Sequence, residues 1–337
     1  MSKSTNKPKL LIHIGGSKTG SSAIQSFLRK NHRLLASRGV VVPSSTLAQE
    51  DIKGHHVWLF QNLLASQPDQ AKKDLKEHVE NSVRGQKSST KQIIISAENL
   101  SNIKRWPDIF SDIKDEYEIS ALLYVRRQDD FLSSAWQQWH VKTENDFWAW
   151  MLSAVGSAAN WQKAIENWNG LIPTDQMTVR VYERDKLHKR DVVADFCQFI
   201  DCDTSDCEAV GGGINPSFTE AVVNFLKDSE TLAKGPHDND FYRFVRDLTG
   251  NTYIKKKKES ILTFEQRMAV LSHYEESNQW VLDKFFDSKE GQTLFTQPNP
   301  EDYSVMSDAD VEKEKMSLLM DLIYGLYQKP KQGGKPM

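Results

Sequence analysis

Leu10-Leu11-Ile12-His13-Ile14-Gly15-Gly16-Ser17-Lys18-Thr19-Gly20-Ser21-Ser22 sets an apolar run directly against a loop rich in glycine and hydroxyls. Ile24, Phe27, Leu28, Leu34 and Leu35 follow at helical spacing, and Gly39 marks a stop. A run that is apolar on consecutive positions suits a strand buried on both faces of a parallel sheet. Strand, loop and helix in this order make an anion cradle. Glycines let backbone N–H groups converge, and the helix N-terminus adds a positive end. Gly15 and Gly20 have the spacing of the nucleoside-triphosphate pattern GxxxxGK[ST], but Ser21 stands where that pattern has its lysine. Lys18 lies two residues before the second glycine instead. The plainer alternative is a tight strand-to-helix turn with a capping serine.

Working outward, segments 40–42, 93–95, 121–125 and 177–182 also read as strands, and 69–84, 128–142, 189–200, 263–286 and 310–327 as helices. The alternation predicts an α/β fold: a P-loop-type parallel sheet flanked by helices, with a mostly helical C-terminal region from about residue 205. Ligands of such sheets gather at the carboxyl ends of the strands. The expected organisation is one domain over 9–328, with its α/β core at about 9–204 and its helical part at about 205–328. The ends, 1–8 and 329–337, are expected to be disordered.

Lys plus Arg number 43 and Asp plus Glu 46 in 337 residues, a formal net charge of −3. That balance argues against a nucleic-acid coat and a polybasic membrane anchor, so any anion site must be a local arrangement. The first apolar stretch is far too short to span a bilayer, and no 18-residue apolar run follows. Cys197, Cys202 and Cys207 have no histidine among them and read as free thiols of a reducing, cytoplasmic compartment, with no metal site.

A second motif begins at Leu122-Leu123-Tyr124-Val125-Arg126-Arg127 and runs through Gln128-Asp129-Asp130-Phe131-Leu132-Ser133-Ser134. An arginine at a strand's carboxyl end can grip a phosphate bidentately, and a serine two helical turns later can add a hydroxyl. Asp130 would orient the arginine or cap the helix. An ordinary strand-to-helix junction with a surface arginine pair is the alternative.

Lys18-Thr19-Gly20-Ser21-Ser22 resembles the K-[ST]-G-[ST]-[ST] loop of sulfotransferases that use 3′-phosphoadenosine-5′-phosphosulfate (PAPS). The stretch from His13 to Gln25 resembles the bacterial carbohydrate-type branch. Arg126, Asp130 and Ser134 match that family's second signature, with Gln128 in place of the proline of animal cytosolic members. Asn215-Pro216-Ser217 and 264–285 are similar to its C-terminal helices, though beyond about 205 the likeness is diffuse.

The resemblance implies sulfuryl transfer from PAPS, as co-substrate, to a hydroxyl or amine, with no metal required. Gly16, Ser17, Lys18, Thr19, Gly20, Ser21 and Ser22 would hold the 5′-phosphate, the N–H groups of Thr19 to Ser22 above all. Arg126 and Ser134 would hold the 3′-phosphate. Lys18 would neutralise the leaving phosphate. The family uses a His or Glu as base at the place where Glu98 follows the strand at 93–95. His55 and His56, in a polar segment before Val57, are the alternative bases. His13, inside the first strand, reads as a core histidine.

Six of the nine tryptophans fall at 136, 139, 148, 150, 161 and 168. Aromatic faces stack on sugars, which favours a saccharide or glycoconjugate acceptor, while helix packing accounts for at least half of them. Trp139, His140 and Lys142 would border the acceptor cleft. The four lysines at 255–258, with Arg243 and Arg246, would line a cleft for an anionic polymer or the donor, or form a solvated face. Two other functions compete: an ATP- and Mg²⁺-dependent P-loop kinase, and a non-catalytic nucleotide-binding module. Oligomeric state is left open.

Overall fold

Every predicted strand forms, and all five align parallel in one sheet. In the computed structural model they are β1 (Lys9–His13), β2 (Val40–Val41), β3 (Gln92–Ser96), β4 (Glu118–Val125) and β5 (Met177–Val181), in the order β2-β3-β1-β4-β5. The structure describes residues 7–48, 52–85, 89–102, 106–144, 146–210, 217–229, 231–256 and 258–328. Asn215, Pro216, Lys257 and the tail from 329 lie outside these, as do the first six residues. The chain divides into two compact units: one of 1–127, 160–214 and 275–295, the other of 128–159, 215–274 and 296–337.

The first unit holds the whole sheet. β1 is central, with His13 in register with Ser96 of β3 and Leu122 of β4. Leu10, Leu11, Ile12, Ile93, Ile94 and Ile95 have no exposed surface, as runs without polar alternation require. On one face Leu11, Ile94, Leu122 and Tyr124 pack with Ile24, Phe27, Leu28 and Leu35 of α1 (Ser21–Ser37). Val192 and Phe196, from the helix Val192–Phe199, complete that cluster. Truncating any one of these buried aliphatics would cost about 2–5 kcal/mol. α2 (Val57–Ala65) and α3 (Pro68–Ser82) follow β2. Phe60 of α2 joins Trp106, Phe110 and Trp168 in a buried aromatic row, with neighbouring rings 5.1–5.7 Å apart.

The second unit is helical among its described residues. Its core joins Val222 and Leu226 of the helix Glu220–Lys227 to Phe241 and Val245 of Asp240–Thr249 and to Leu318 and Leu322 of Asp308–Gln328. Arg267, 2% exposed, pairs with both Asp129 and Asp130 and lies 4.0 Å from the Tyr303 ring centroid. Asp130, in the first turn of the helix Gln128–Gln138, is thus paired with Arg267, a partner the sequence did not suggest. The helix expected over 263–286 is two, Phe264–His273 and Glu275–Phe285. The interruption falls at Tyr274, a buried ring whose hydroxyl donates to the carbonyls of Val155 (2.9 Å) and Ala158 (2.8 Å).

Packing accounts for Trp136, Trp161 and Trp168, all at most 3% exposed, whereas Trp148 is 47% exposed. Cys197, Cys202 and Cys207 are free thiols. Among the described residues no helix is long and apolar enough to cross a membrane.

Candidate functional site

The chain leaves β1 toward β2 on one side of the sheet and leaves β4 toward β5 on the other, so the sheet's switch point lies between β1 and β4. The crevice at such a point receives ligands in open α/β sheets. Here the loops that flank it carry both sequence motifs.

The loop after β1 is shaped from within. Thr19 is fully buried, and both its N–H and its hydroxyl donate to the Gly16 carbonyl. Its N–H therefore closes the turn, which corrects the expectation that all four N–H groups from Thr19 to Ser22 face a phosphate. Those of Ser21 and Ser22, in the first turn of α1, have no intrahelical acceptor and remain suited to an anion. Gly20 caps the helix at φ 80°, a conformation that only glycine adopts without strain. Lys18 takes φ 63° without that freedom, at a cost of about 1–2 kcal/mol. Arg126 offsets this: its Nη1 donates to the Lys18 carbonyl at 2.8 Å. The Arg126 carbonyl in turn accepts from the Trp161 indole at 2.9 Å, and the guanidinium lies 5.9 Å from the Tyr182 ring centroid. The two motifs, 108 residues apart in sequence, are joined by one hydrogen bond.

Electrostatics mark the same place. Burial first, and the Arg126 charge after it, lower the Lys18 ammonium to about 8, with the Glu98 carboxylate opposing both. A partly dehydrated lysine beside a second cation suits an anion-binding cradle. Glu98 opens a short 3₁₀ turn after β3 and accepts the Ser21 hydroxyl at 2.6 Å. A Cβ on Gly15 would stand 3.2 Å from the Glu98 Cα, so the loop lies directly against that residue. Lys18, Ser21, Arg126 and Glu98 are thereby brought together. Ser134 belongs to the second unit, and its expected share of the 3′-phosphate rests on the eight-residue spacing alone.

The two histidines separate. His56 is fully buried, with Nδ1 accepting from the Ser96 N–H (3.0 Å) and Nε2 against the Pro43 carbonyl (3.2 Å). Burial and the neighbouring His78 lower it to about 3. Its ring is a brace between β3 and the segment after β2, which corrects its candidacy as a base. His55 is half-buried; burial lowers its imidazole below the usual range, against the pull of the Glu98 carboxylate. His13 is buried as expected, with Nδ1 2.8 Å from the Ser96 hydroxyl, and burial lowers it to about 4. In the second unit Lys142 donates to the Pro236 carbonyl (3.1 Å) and Asn239 Oδ1 (2.8 Å), and the His140 ring lies 4.7 Å from that of Trp150.

Sequence reading missed Trp161 and Tyr182 as supports of Arg126, and gave no weight to Gln25 and Trp58. Gln25 carried a signal: it is a polar residue on the buried stripe of α1, one turn after Ser21. The described residues contain no cluster of three or more metal-ligating side chains.

No family model matches the sequence. An uncharacterised protein of Archaeoglobus fulgidus is 25% identical over 171 residues, which is 49% of this chain and 45% of that protein. The match thus spans less than half the length of that relative. Among solved structures, a sulfotransferase from Alicyclobacillus acidocaldarius aligns with 63% of this chain and 88% of its own, at 14% identity and a TM-score of 0.36.

Proposed function

We propose that the protein is a PAPS-dependent sulfotransferase acting on a hydroxyl, most suitably of a carbohydrate or glycoconjugate. The observation that carries this reading is the convergence of Lys18, Arg126 and Ser21-bound Glu98 on the loop between β1 and α1. Sulfuryl transfer breaks the S–O bond of a phosphosulfate anhydride and forms an S–O bond to the acceptor. It therefore needs a cation for the leaving phosphate and a base for the acceptor's proton, close together.

Lys18 supplies the cation. It lies within the phosphate loop, so its ammonium is suited to a bridging oxygen rather than to a terminal phosphate. Its removal should cost roughly 10²–10³-fold in rate, as for other preorganised charge stabilisers. The N–H groups of Ser21 and Ser22 suit the 5′-phosphate, and the donors of Arg126 other than the Nη1 bonded to the Lys18 carbonyl suit a second phosphate. Glu98 takes the acceptor's proton, and its hydrogen bond from Ser21 fixes the carboxylate's orientation. Protein cations answer the leaving charge, so the scheme needs no metal. The kinase reading lacks the lysine directly after Gly20.

The test is transfer of labelled sulfuryl from PAPS to a panel of glycosides, phenols and amines. Labelled glycoside with wild-type protein, lost in Lys18→Met, supports the proposal. Transfer only to phenols or amines would overturn the carbohydrate assignment, and no transfer to any class would overturn the activity.

A further inference from the structure

We propose that Gln25, His55 and Trp58 form the acceptor subsite beside Glu98, and that it recognises a vicinal diol on a sugar ring. This rests on the sulfotransferase reading for its chemistry, but not for its geometry. Gln25 is 3% exposed, and among the described residues neither its carboxamide oxygen nor its nitrogen has a hydrogen-bond partner. A buried carboxamide left with both groups unmade costs several kcal/mol in a folded chain, so such a residue calls for a ligand. It sits four residues after Ser21 on the buried stripe of α1, and Ser21 is the residue bonded to Glu98. Side chains at that spacing are neighbours on a helix face.

The segment after β2 brings His55 to the same place. Gly54 lies against α1: a Cβ there would be 2.7 Å from the Gln25 carbonyl oxygen. On the other side His56 N–H donates to the Ser96 carbonyl at 3.0 Å, two residues before Glu98. His55 is therefore pinned between α1 at Gln25 and the end of β3. Its N–H is held by the Ser45 hydroxyl at 3.0 Å, while its Nδ1 is buried and has no partner among the described residues. Trp58, 46% exposed, stands with its ring centroid 5.0 Å from that of His55.

The chemistry selects the ligand class. A carboxamide offers one acceptor and donors side by side, and matches two adjacent hydroxyls, one donating and one accepting. A phenol presents a single hydroxyl and leaves half of Gln25 unpaired. An exposed indole beside the polar groups gives the ring's apolar face a surface to pack on. Glu98 then meets the hydroxyl that is to be sulfated.

Saturation-transfer NMR tests this without any donor. The probes are methyl gluco-, galacto- and mannopyranosides, their 2-deoxy and 3-deoxy forms, and 2-naphthol, with full-length wild type, Gln25→Leu and Trp58→Ala. The expected result is transfer to at least one glycoside, weakened roughly tenfold to a hundredfold by deoxygenation or by Gln25→Leu. Trp58→Ala, at a surface residue whose loss does not threaten folding, should weaken the same glycoside. Binding of 2-naphthol with no glycoside, or glycoside binding untouched by both variants, would overturn the subsite. A parallel titration with adenosine 3′,5′-bisphosphate (PAP) separates the two readings. Glycoside binding without PAP binding would leave the subsite standing and remove the sulfotransferase.

Discussion

Replacing Glu98 by glutamine keeps the side chain's size and still offers an oxygen to the Ser21 hydroxyl, 2.6 Å away in the native site. What it removes is basicity and one negative charge. A positioned general base contributes about 10²–10⁴ in rate, or about 2.7–5.4 kcal/mol at about 1.36 kcal/mol per decade. The charge acts in the other direction on the donor. Glu98 opposes the burial and the Arg126 charge that lower Lys18 to about 8, so its loss lowers Lys18 further. At pH 6.5, below the value of about 8, Lys18 in the wild type is mostly protonated, and the variant's anion cradle has lost a like charge. Glu98→Gln should therefore reduce kcat by about 10²–10⁴ while binding PAP at least as tightly as wild type. Steady-state sulfuryl transfer and calorimetry with PAP, on one preparation at pH 6.5, give both numbers. A kcat within about tenfold of wild type would refute Glu98 as the base and move that role to His55. A tenfold loss of PAP affinity would instead show that Glu98 acts through Ser21 to shape the loop.

Three further outcomes follow from the same geometry. With free Lys18 near 8, about half the molecules lack its proton at pH 8; a bound phosphate restores it, so PAP binding should take up about half a proton there and weaken as pH rises further. Calorimetry in buffers of different ionisation heat measures this, and no uptake at pH 8 would contradict the placement of Lys18 at the phosphate. Arg126→Ala loses the bond to the Lys18 carbonyl, so it should weaken adenosine 5′-phosphate by roughly tenfold or more, and PAP by more again; unchanged affinity for the monophosphate would show that the bond does not hold the loop. Asp195 is buried and accepts from Tyr124 Oη (2.7 Å), Arg180 (2.6 Å) and the His188 N–H (2.9 Å), so Asp195→Ala should cost about 3–5 kcal/mol in urea unfolding. Burial raises that carboxyl, but these bonds outweigh it and leave it lowered; its contribution is present above the unfolded value of 3.8 and lost as pH falls through the lower folded value. A pH-independent midpoint in acid would contradict that.

Much of the sheet was legible because its strands are uninterrupted aliphatic runs, which admit few other environments. β1, β3 and β4 differ from their expected spans by a few residues at most. Helices whose partners are distant in sequence were harder. The continuous pattern over 263–286 hides the turn at Tyr274, because the reason for it is a pair of carbonyls at 155 and 158 that only the folded chain supplies. The division into two interleaved units was likewise hidden, since 128–159 leaves the first unit in mid-sequence and pairs with segments after 215.

At the candidate site, the strand pattern already placed the loop of Lys18 and Ser21 after β1, Glu98 after β3 and Arg126 after β4. The loop's internal economy was not legible. Thr19 spends its polar groups on Gly16, and Arg126 serves the Lys18 carbonyl, because a backbone at positive φ must be held by something. His55 and His56 are adjacent and look equivalent, yet only the ladder of hydrogen bonds to Ser96 and Pro43 shows that His56 is structural. Trp58 lies in the stretch Val57-Trp58-Leu59-Phe60 beside the two histidines, outside the dense run of tryptophans at 136–168, so its ring contact with His55 is not marked by any pattern in the sequence.

Calorimetric titration of the wild-type protein with PAP in the absence of metal, and with ATP in the presence of Mg²⁺, separates the sulfotransferase from the kinase. Micromolar PAP binding, with ATP weaker by at least about tenfold, is the result expected if Arg126 holds the 3′-phosphate that ATP lacks. Tight ATP binding with negligible PAP binding would contradict the sulfotransferase reading and make the loop that of a kinase.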